Sequence, residues 1–142
     1  MKGIDEPGCI ILTLVSINEQ GVSIVVPTFN SPSSLRPLCD EIENYVGPLF
    51  DKYEIIFVDD GNTDGTWSEI KDLHNSRSCV SGIRLLRNYG QHNALLAGLK
   101  MAKFPLILTL DDDLQNPPQE VEKMVRALTD EVDLVYLSLI HI

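Results

Sequence analysis

From Val22 to Leu137, short β-branched runs alternate with stretches whose apolar residues recur every three or four positions. This alternation constrains the fold more than any other feature. A strand, a helix and a further strand in succession return the chain to the same end of a sheet, which makes the strands parallel. The expectation is an α/β architecture, a mostly parallel sheet with flanking helices.

Val22 to Pro27 reads as the first strand, and Leu35, Leu38, Ile42 and Val46 follow at helical spacing after a Ser31-Pro32-Ser33 start signal. A second apolar run, Glu54 to Val58, stops at Asp59; Gly61, Asn62 and Gly65 supply turn chemistry before Trp67, Ile70 and Leu73 resume the helical period. Val80 to Leu86 reads as a third strand, Gln91 to Ala102 as a third helix, and Leu106 to Leu110 as a fourth strand ending at Asp111. Pro117-Pro118 opens a last helix with Val121, Met124, Val125 and Leu128 on one face, and a short apolar run from Leu134 to Leu137 closes the pattern.

With 142 residues, 44% of them hydrophobic, the chain suffices for one domain with a core and is too short for two. Residues 22–137 are assigned to that domain and 1–21 to an N-terminal extension; 138–142 are set apart as a tail not expected to be native sequence. The formal net charge of −10, with no cluster among the 11 Lys and Arg, argues against nucleic acid as a partner. Cys9, Cys39 and Cys79 are odd in number and lack a C-x-x-C spacing, which suits a reducing, cytoplasmic setting better than a disulfide framework or a zinc site. The apolar run from Cys9 to Ile17 is too short for a membrane span, which needs about 20 residues.

Both acidic clusters fall at expected carboxyl ends of strands, the edge where open parallel sheets bind ligands. Asp111 and Asp113 lie two apart, so in an extended segment they point to one side while Asp112 points to the other. Gln115 continues that spacing with a neutral oxygen, and the three form a set of hard donors suited to magnesium or manganese. A cation bridging two phosphates there would neutralise the charge that develops on a diphosphate leaving group.

Other chemistry shares these residue types. Asp60, Asn62, Asp64 and Gly65 match the start of an EF-hand loop, as do Asp111, Asp113, Gln115 and Glu122 at other loop positions. The first has Lys71 where the bidentate Glu belongs; the second has Asn116 in place of the turn Gly, then two prolines, and follows a strand. A phosphoacceptor receiver domain also carries carboxylates at strand ends. It stays open on fold alone, although it does not account for the Asp-x-Asp-x-Gln spacing. Asp64 or Thr66 is equally a helix cap, and Asn30 and Gly61 to Gly65 are turn formers. Trp67, on the apolar side of its helix, and His74, on the solvated side, read as structural.

Four stretches together resemble family 2 glycosyltransferases of the Rossmann-like GT-A type, particularly their polyprenyl-phosphate (dolichyl- or undecaprenyl-phosphate) branch: Val25-Val26-Pro27-Thr28-Phe29-Asn30, Val58 to Thr66, Asn88-Tyr89-Gly90-Gln91-His92-Asn93-Ala94, and Asp111 to Pro118. The resemblance implies that Pro27, Phe29, Asn30, Asp59, Asp60, Gly61 and Asp112 hold the nucleotide of a nucleotide-diphosphate sugar. It implies that Asp111 and Asp113 are the catalytic carboxylates and, with Gln115, the ligands of Mg2+ or Mn2+. The turn before Gln91 offers backbone N–H groups to phosphates or sugar hydroxyls. A polyprenyl phosphate would be the acceptor in the parent enzyme, at the cytoplasmic face of a membrane, with membrane association only through a C-terminal part beyond this chain. Position 31 is Ser where the branch carries Glu, and Asp112 stands where a small residue is common. Without the acceptor-binding half, the chain is expected to bind nucleotide and transfer little sugar.

Overall fold

The computed structural model of the chain describes residues 8–13, 21–28, 32–112, 120–123 and 134–138. Among these, six strands form one sheet: β1 (Gly8–Thr13), β2 (Gly21–Thr28), β3 (Lys52–Asp59), β4 (Val80–Arg84), β5 (Leu106–Thr109) and β6 (Leu134–Ser138), in the order β4-β3-β2-β5-β1-β6. Helices α1 (Pro32–Tyr45), α2 (Thr66–Ser76) and α3 (Gln91–Met101) supply the crossovers, with a short 3-10 turn at Gly47–Leu49. β2 pairs in parallel with both β3 and β5, and β3 with β4. Residues 120–123 are helical, and Val121 is buried. The α/β class and the expected order of strands and helices from β2 to β5 are found; most of the last expected helix, with Met124, Val125 and Leu128, lies outside the described residues.

The segment set apart as an N-terminal extension contributes β1 to the sheet. It lies antiparallel to β5 on one side and to β6 on the other, with Ile10 opposite Thr109 and Gly8 opposite Ser138. A strand with no helical crossover lacks the alternating signature that betrayed the others, and its apolar run gave only a length. β6 likewise takes in Ser138, the first residue of the stretch read as a tail.

β2, β3 and β5 are covered on both faces, which is why they read as continuous apolar runs rather than alternating ones. Val22, Ile24, Val26, Ile55, Phe57, Leu106 and Leu108 pack with Leu35, Leu38 and Ile42 of α1 and Ile70 and Leu73 of α2. Their alternates Val25, Ile56, Val58 and Ile107 pack with Ala94, Leu95 and Leu99 of α3. The period of two thus assigns each residue to one layer. Buried Cys39 belongs to the first layer, and burial pushes its thiol up to about 12, so it stays protonated.

One polar network interrupts the apolar strands near their amino ends. Ser23 donates to Glu54 Oε1 at 2.7 Å; the same oxygen accepts the Lys103 N–H at 2.7 Å, and Ser23 Oγ accepts the Phe104 N–H at 3.0 Å. This satisfies a buried carboxylate and fastens the connection from α3 to β5, far from the carboxyl edge.

α3 lies close against the sheet because Gly98 has no side chain. A Cβ there would stand 2.3 Å from Val25 Cγ1 and 3.2 Å from Val58 Cγ2, both on stiff β-branched side chains inside the core. Gly98→Val is therefore expected to lower unfolding stability by about 3 kcal/mol through overpacking, read by urea denaturation; unchanged stability would show that α3 is free to move away.

Candidate functional site

The in-register pairing of β2 with β3 sets Thr28 opposite Asp59, and the pairing of β3 with β4 sets Arg84 on the other side of the same aspartate. Asp59 is fully buried. Its Oδ1 accepts both the backbone N–H and the side-chain amide of Asn62, each at 2.8 Å. The Asn62 amide also reaches Thr28 O at 3.2 Å and Thr28 Oγ1 at 3.3 Å, and the Thr28 hydroxyl donates to Val58 O at 3.0 Å. One side chain thereby ties the ends of two strands together.

Asp59 Oδ2 is different: it is buried and, among the described residues, has no hydrogen-bond partner. Its ionic partner, Arg84 Nε, stands 3.7 Å away, too far for a hydrogen bond. The Arg84 guanidinium lies over the Trp67 ring, 5.8 Å from its centroid, which holds the cation beside the carboxylate. A buried carboxylate oxygen without a donor costs free energy.

Asp60 spends both oxygens on the loop after β4. Oδ1 accepts the Tyr89 N–H at 2.8 Å and Oδ2 the Gly90 N–H at 2.9 Å. Next to it, Gly61 has a φ of 76°, and a Cβ there would lie 2.6 Å from the backbone of Arg87 and Asn88. Glycine is required on both counts, since the left-handed region and the close approach each disfavour a side chain. Asp60 and Gly61 dock the β4–α3 loop. That loop delivers Gly90 to the start of α3.

Asp64 organises the entry to α2, accepting the Thr66 N–H at 3.2 Å and the Thr66 hydroxyl through Oδ1. The Thr66 hydroxyl bond holds this carboxyl below its ordinary value of 3.8.

On the far side of β2, the bond from Leu110 N–H to Val25 O at 3.1 Å carries the β5 ladder one step past Thr109. Asp111 follows, half-buried, and Asp112 is 5% exposed. Because β2 separates β3 from β5, Asp59 and Asp111 sit two strand spacings apart, roughly 10 Å. Pro27, buried, lies between them in register with Val58. Phe29, Asn30, Asp113 and Gln115 lie outside the described residues, as does Ser31. Among the described residues no group of three His, Cys, Asp or Glu side chains forms a ready metal site.

Sequence reasoning missed Thr28, Asn62 and Arg84. The first two look like ordinary strand and turn residues. Arg84 was hidden because the third strand was expected to reach Leu86, which placed it inside the strand; β4 ends at Arg84 itself. A basic residue within a β-branched run was the available signal.

The mixed sheet thus carries Asp59 at the carboxyl end of β3 and Asp111 and Asp112 beyond β5, on either side of β2, where the order of the parallel strands reverses. The chain belongs to glycosyl transferase family 2, whose model matches residues 23–142. It is 42% identical over 115 residues to the undecaprenyl-phosphate 4-deoxy-4-formamido-L-arabinose transferase of Aeromonas hydrophila, covering 80% of this chain and 35% of that protein. The enzyme of the same description from Yersinia pestis (strain Pestoides F) is 41% identical over 124 residues, 85% of this chain and 38% of that protein. The chain thus spans little more than a third of these relatives.

Solved structures share its GT-A fold. S. aureus TarS 1-349 in complex with UDP-GlcNAc has a TM-score of 0.61 at 26% identity over 78% of this chain and 31% of that one. The mannosyltransferase PcManGT from Pyrobaculum calidifontis, in complex with GDP-Man and Mn2+, has a TM-score of 0.58 at 21% identity over 79% of this chain and 31% of that one. Family membership sets aside the receiver-domain alternative.

Asp60→Asn leaves one of the two loop amides without its acceptor. The expected result is a loss of about 1–3 kcal/mol of stability and much faster hydrogen exchange at Tyr89 and Gly90, with α1 unaffected; unchanged exchange at both amides would refute the docking role. For Asp64 the folded pKa is depressed. Its bond to Thr66 therefore contributes above the ordinary carboxylate range and is lost as pH falls through the lowered folded value. A carboxyl NMR titration should place Asp64 below 3.8 and return it toward that value in Thr66→Ala; a midpoint that ignores Thr66 would contradict the assignment.

Proposed function

We propose that the carboxyl edge of this sheet is the donor site of a glycosyltransferase, binding a nucleotide-diphosphate sugar with Mg2+ or Mn2+ and supplying the sugar to a polyprenyl phosphate. The observation that carries this is Asp59 Oδ2, buried at the end of β3 and, among the described residues, without a hydrogen-bond donor. A base N–H or a ribose hydroxyl supplies the missing donor, and Pro27, Phe29, Asn30, Asp60, Gly61 and Asp112 complete the nucleotide's surroundings. Arg84, stacked on Trp67, completes the charge balance on the outer side of Asp59.

The donor set fits a hard divalent cation: the carboxylates of Asp111 and Asp113 and the amide oxygen of Gln115 are the oxygen ligands such ions take. Asp111 stands half-buried at the sheet edge rather than inside the core. When bound, the cation neutralises charge building on the diphosphate as the sugar departs. Asp111 and Asp113 are the catalytic residues in the sense that they hold that charge-neutralising group against the leaving phosphates.

The names of the relatives, undecaprenyl-phosphate sugar transferases, support the acceptor class, and the UDP-GlcNAc complex of TarS supports the donor class. A phosphate acceptor is already ionised and nucleophilic near neutral pH, so its attack needs a general base less than attack by a neutral hydroxyl does. Among the described residues no helix is long and apolar enough to cross a membrane. In this reading the reaction takes place at the cytoplasmic face of a membrane, with the remaining acceptor and membrane contacts made outside the donor site. Residues 1–142 alone bind nucleotide and transfer little sugar; brisk transfer by the isolated chain would contradict this.

Calorimetric titration with UDP or GDP plus manganese tests the site. Asp59→Asn, which removes a charged acceptor, is expected to weaken binding about tenfold. Asp111→Ala combined with Asp113→Ala should abolish the manganese dependence. Nucleotide affinity unchanged in both variants would sink the proposal.

A further inference from the structure

Leu86 is 97% exposed, and Tyr89, three residues on, is 45% exposed. A single apolar side chain on a surface is ordinary, but these belong to a loop whose backbone is held firmly. The Leu85 N–H binds Asp59 O at 2.9 Å, Asp60 takes the amides of Tyr89 and Gly90, and Gly61 presses on Arg87 and Asn88. Chain flexibility therefore does not account for the display.

Arg87 sits between the two. Its guanidinium lies 5.4 Å from the Tyr89 ring centroid, and its Nε donates to the Tyr89 hydroxyl at 3.2 Å. Among the described residues it forms no ion pair with a carboxylate, in a chain whose net charge is −10. The loop therefore presents one cation held on exposed Tyr89, with exposed Leu86 adjacent to it in the chain, beside the acidic edge. A phosphate-bearing molecule approaching that edge meets repulsion from Asp59, Asp60 and Asp111, and a stacked arginine offsets it.

The geometry points to the loop of residues 85–90 as the docking surface for the acceptor, with the phosphate monoester of a long isoprenoid alcohol meeting Arg87 and its first apolar units lying on Leu86 and Tyr89. This rests on the glycosyltransferase reading above and deepens it by assigning the acceptor's first contacts. A cation beside apolar side chains complements an anion joined directly to an apolar chain; inorganic phosphate would use Arg87 alone.

Vesicle flotation separates these sources. Residues 1–142 are expected to float with neutral phosphatidylcholine vesicles doped with a few mole per cent of a long-chain isoprenyl phosphate, and not with undoped vesicles or with vesicles of equal charge made from acidic phospholipid. Leu86→Ser and Arg87→Gln should each reduce partitioning about tenfold. Both side chains are exposed, so the variants should keep the parent's melting temperature. Equal partitioning of parent and variants, binding to any acidic vesicle, or no binding by the parent would overturn the proposal. So would displacement by inorganic phosphate that is indifferent to Leu86→Ser. Protection of the same proteins by UDP or GDP with manganese is followed in parallel. Retained protection in variants that no longer float supports an acceptor surface separate from the donor site. Isoprenyl-phosphate binding without any nucleotide protection in the parent would count against the donor reading while leaving the docking surface supported.

Discussion

The parallel pairing of β2 with β3, eight residues in unbroken register from Gly21 opposite Lys52 to Thr28 opposite Asp59, is the constraint on which the rest depends. It decides that both strands stop at the same height, so Thr28 and Asp59 meet at one edge rather than being staggered. Asn62 then closes the edge by donating to both. A slip of one residue would turn every side chain of β2 to the opposite layer, moving Val25 away from α3 and Ile24 away from α1. Since α3 approaches within contact of Val25 through Gly98, no such slip is tolerated. Core packing thus fixes register, and register fixes the site.

The same edge concentrates negative charge, and the structure divides its use. Asp60 accepts one backbone amide on each oxygen and so docks a loop; Asp64 fastens the entry to α2. Asp59 is split, one oxygen engaged with Asn62 and the other left in the dark beside Arg84. Three aspartates within six residues therefore have three physical roles, and among the described residues only Asp59 has a buried oxygen without a hydrogen bond. Exposure alone does not tell them apart, because Asp59 and Asp60 are both buried; hydrogen-bond satisfaction does.

Much of the fold was legible because buried parallel strands are runs of β-branched residues and the covering helices carry a clear period. The strand ending at Asp59 was readable since an acidic residue cannot continue an apolar run, and the same held for Asp111. β1 was not readable, because pairing with β5 across roughly a hundred residues leaves no local trace. Nor was the true employment of Asp60, whose partners lie 29 and 30 residues downstream and are backbone amides, to which any sequence contributes equally. Arg84 was concealed by two residues of strand that the chain does not form. Charge and period show where an edge is; which carboxylate is satisfied depends on contacts that only the folded chain makes.

That division bears on how a site so acidic can handle phosphates at all. Each carboxylate that is already hydrogen-bonded by amides has its charge spread into the backbone, and its field at the edge is partly cancelled by those dipoles. Arg84 over Trp67 and Arg87 over Tyr89 place two cations on the outer side of the same edge, each steadied by an aromatic face rather than neutralised by a carboxylate hydrogen bond. Aromatic stacking keeps a guanidinium charged, oriented and available, whereas a bidentate carboxylate would consume its donors. The edge is therefore graded: negative after β5, where Asp111 and Asp112 stand, and carrying two arginines along the β4 end. A ligand with a diphosphate at one side and a base or a second phosphate at the other fits such a gradient better than a uniformly charged cleft would allow.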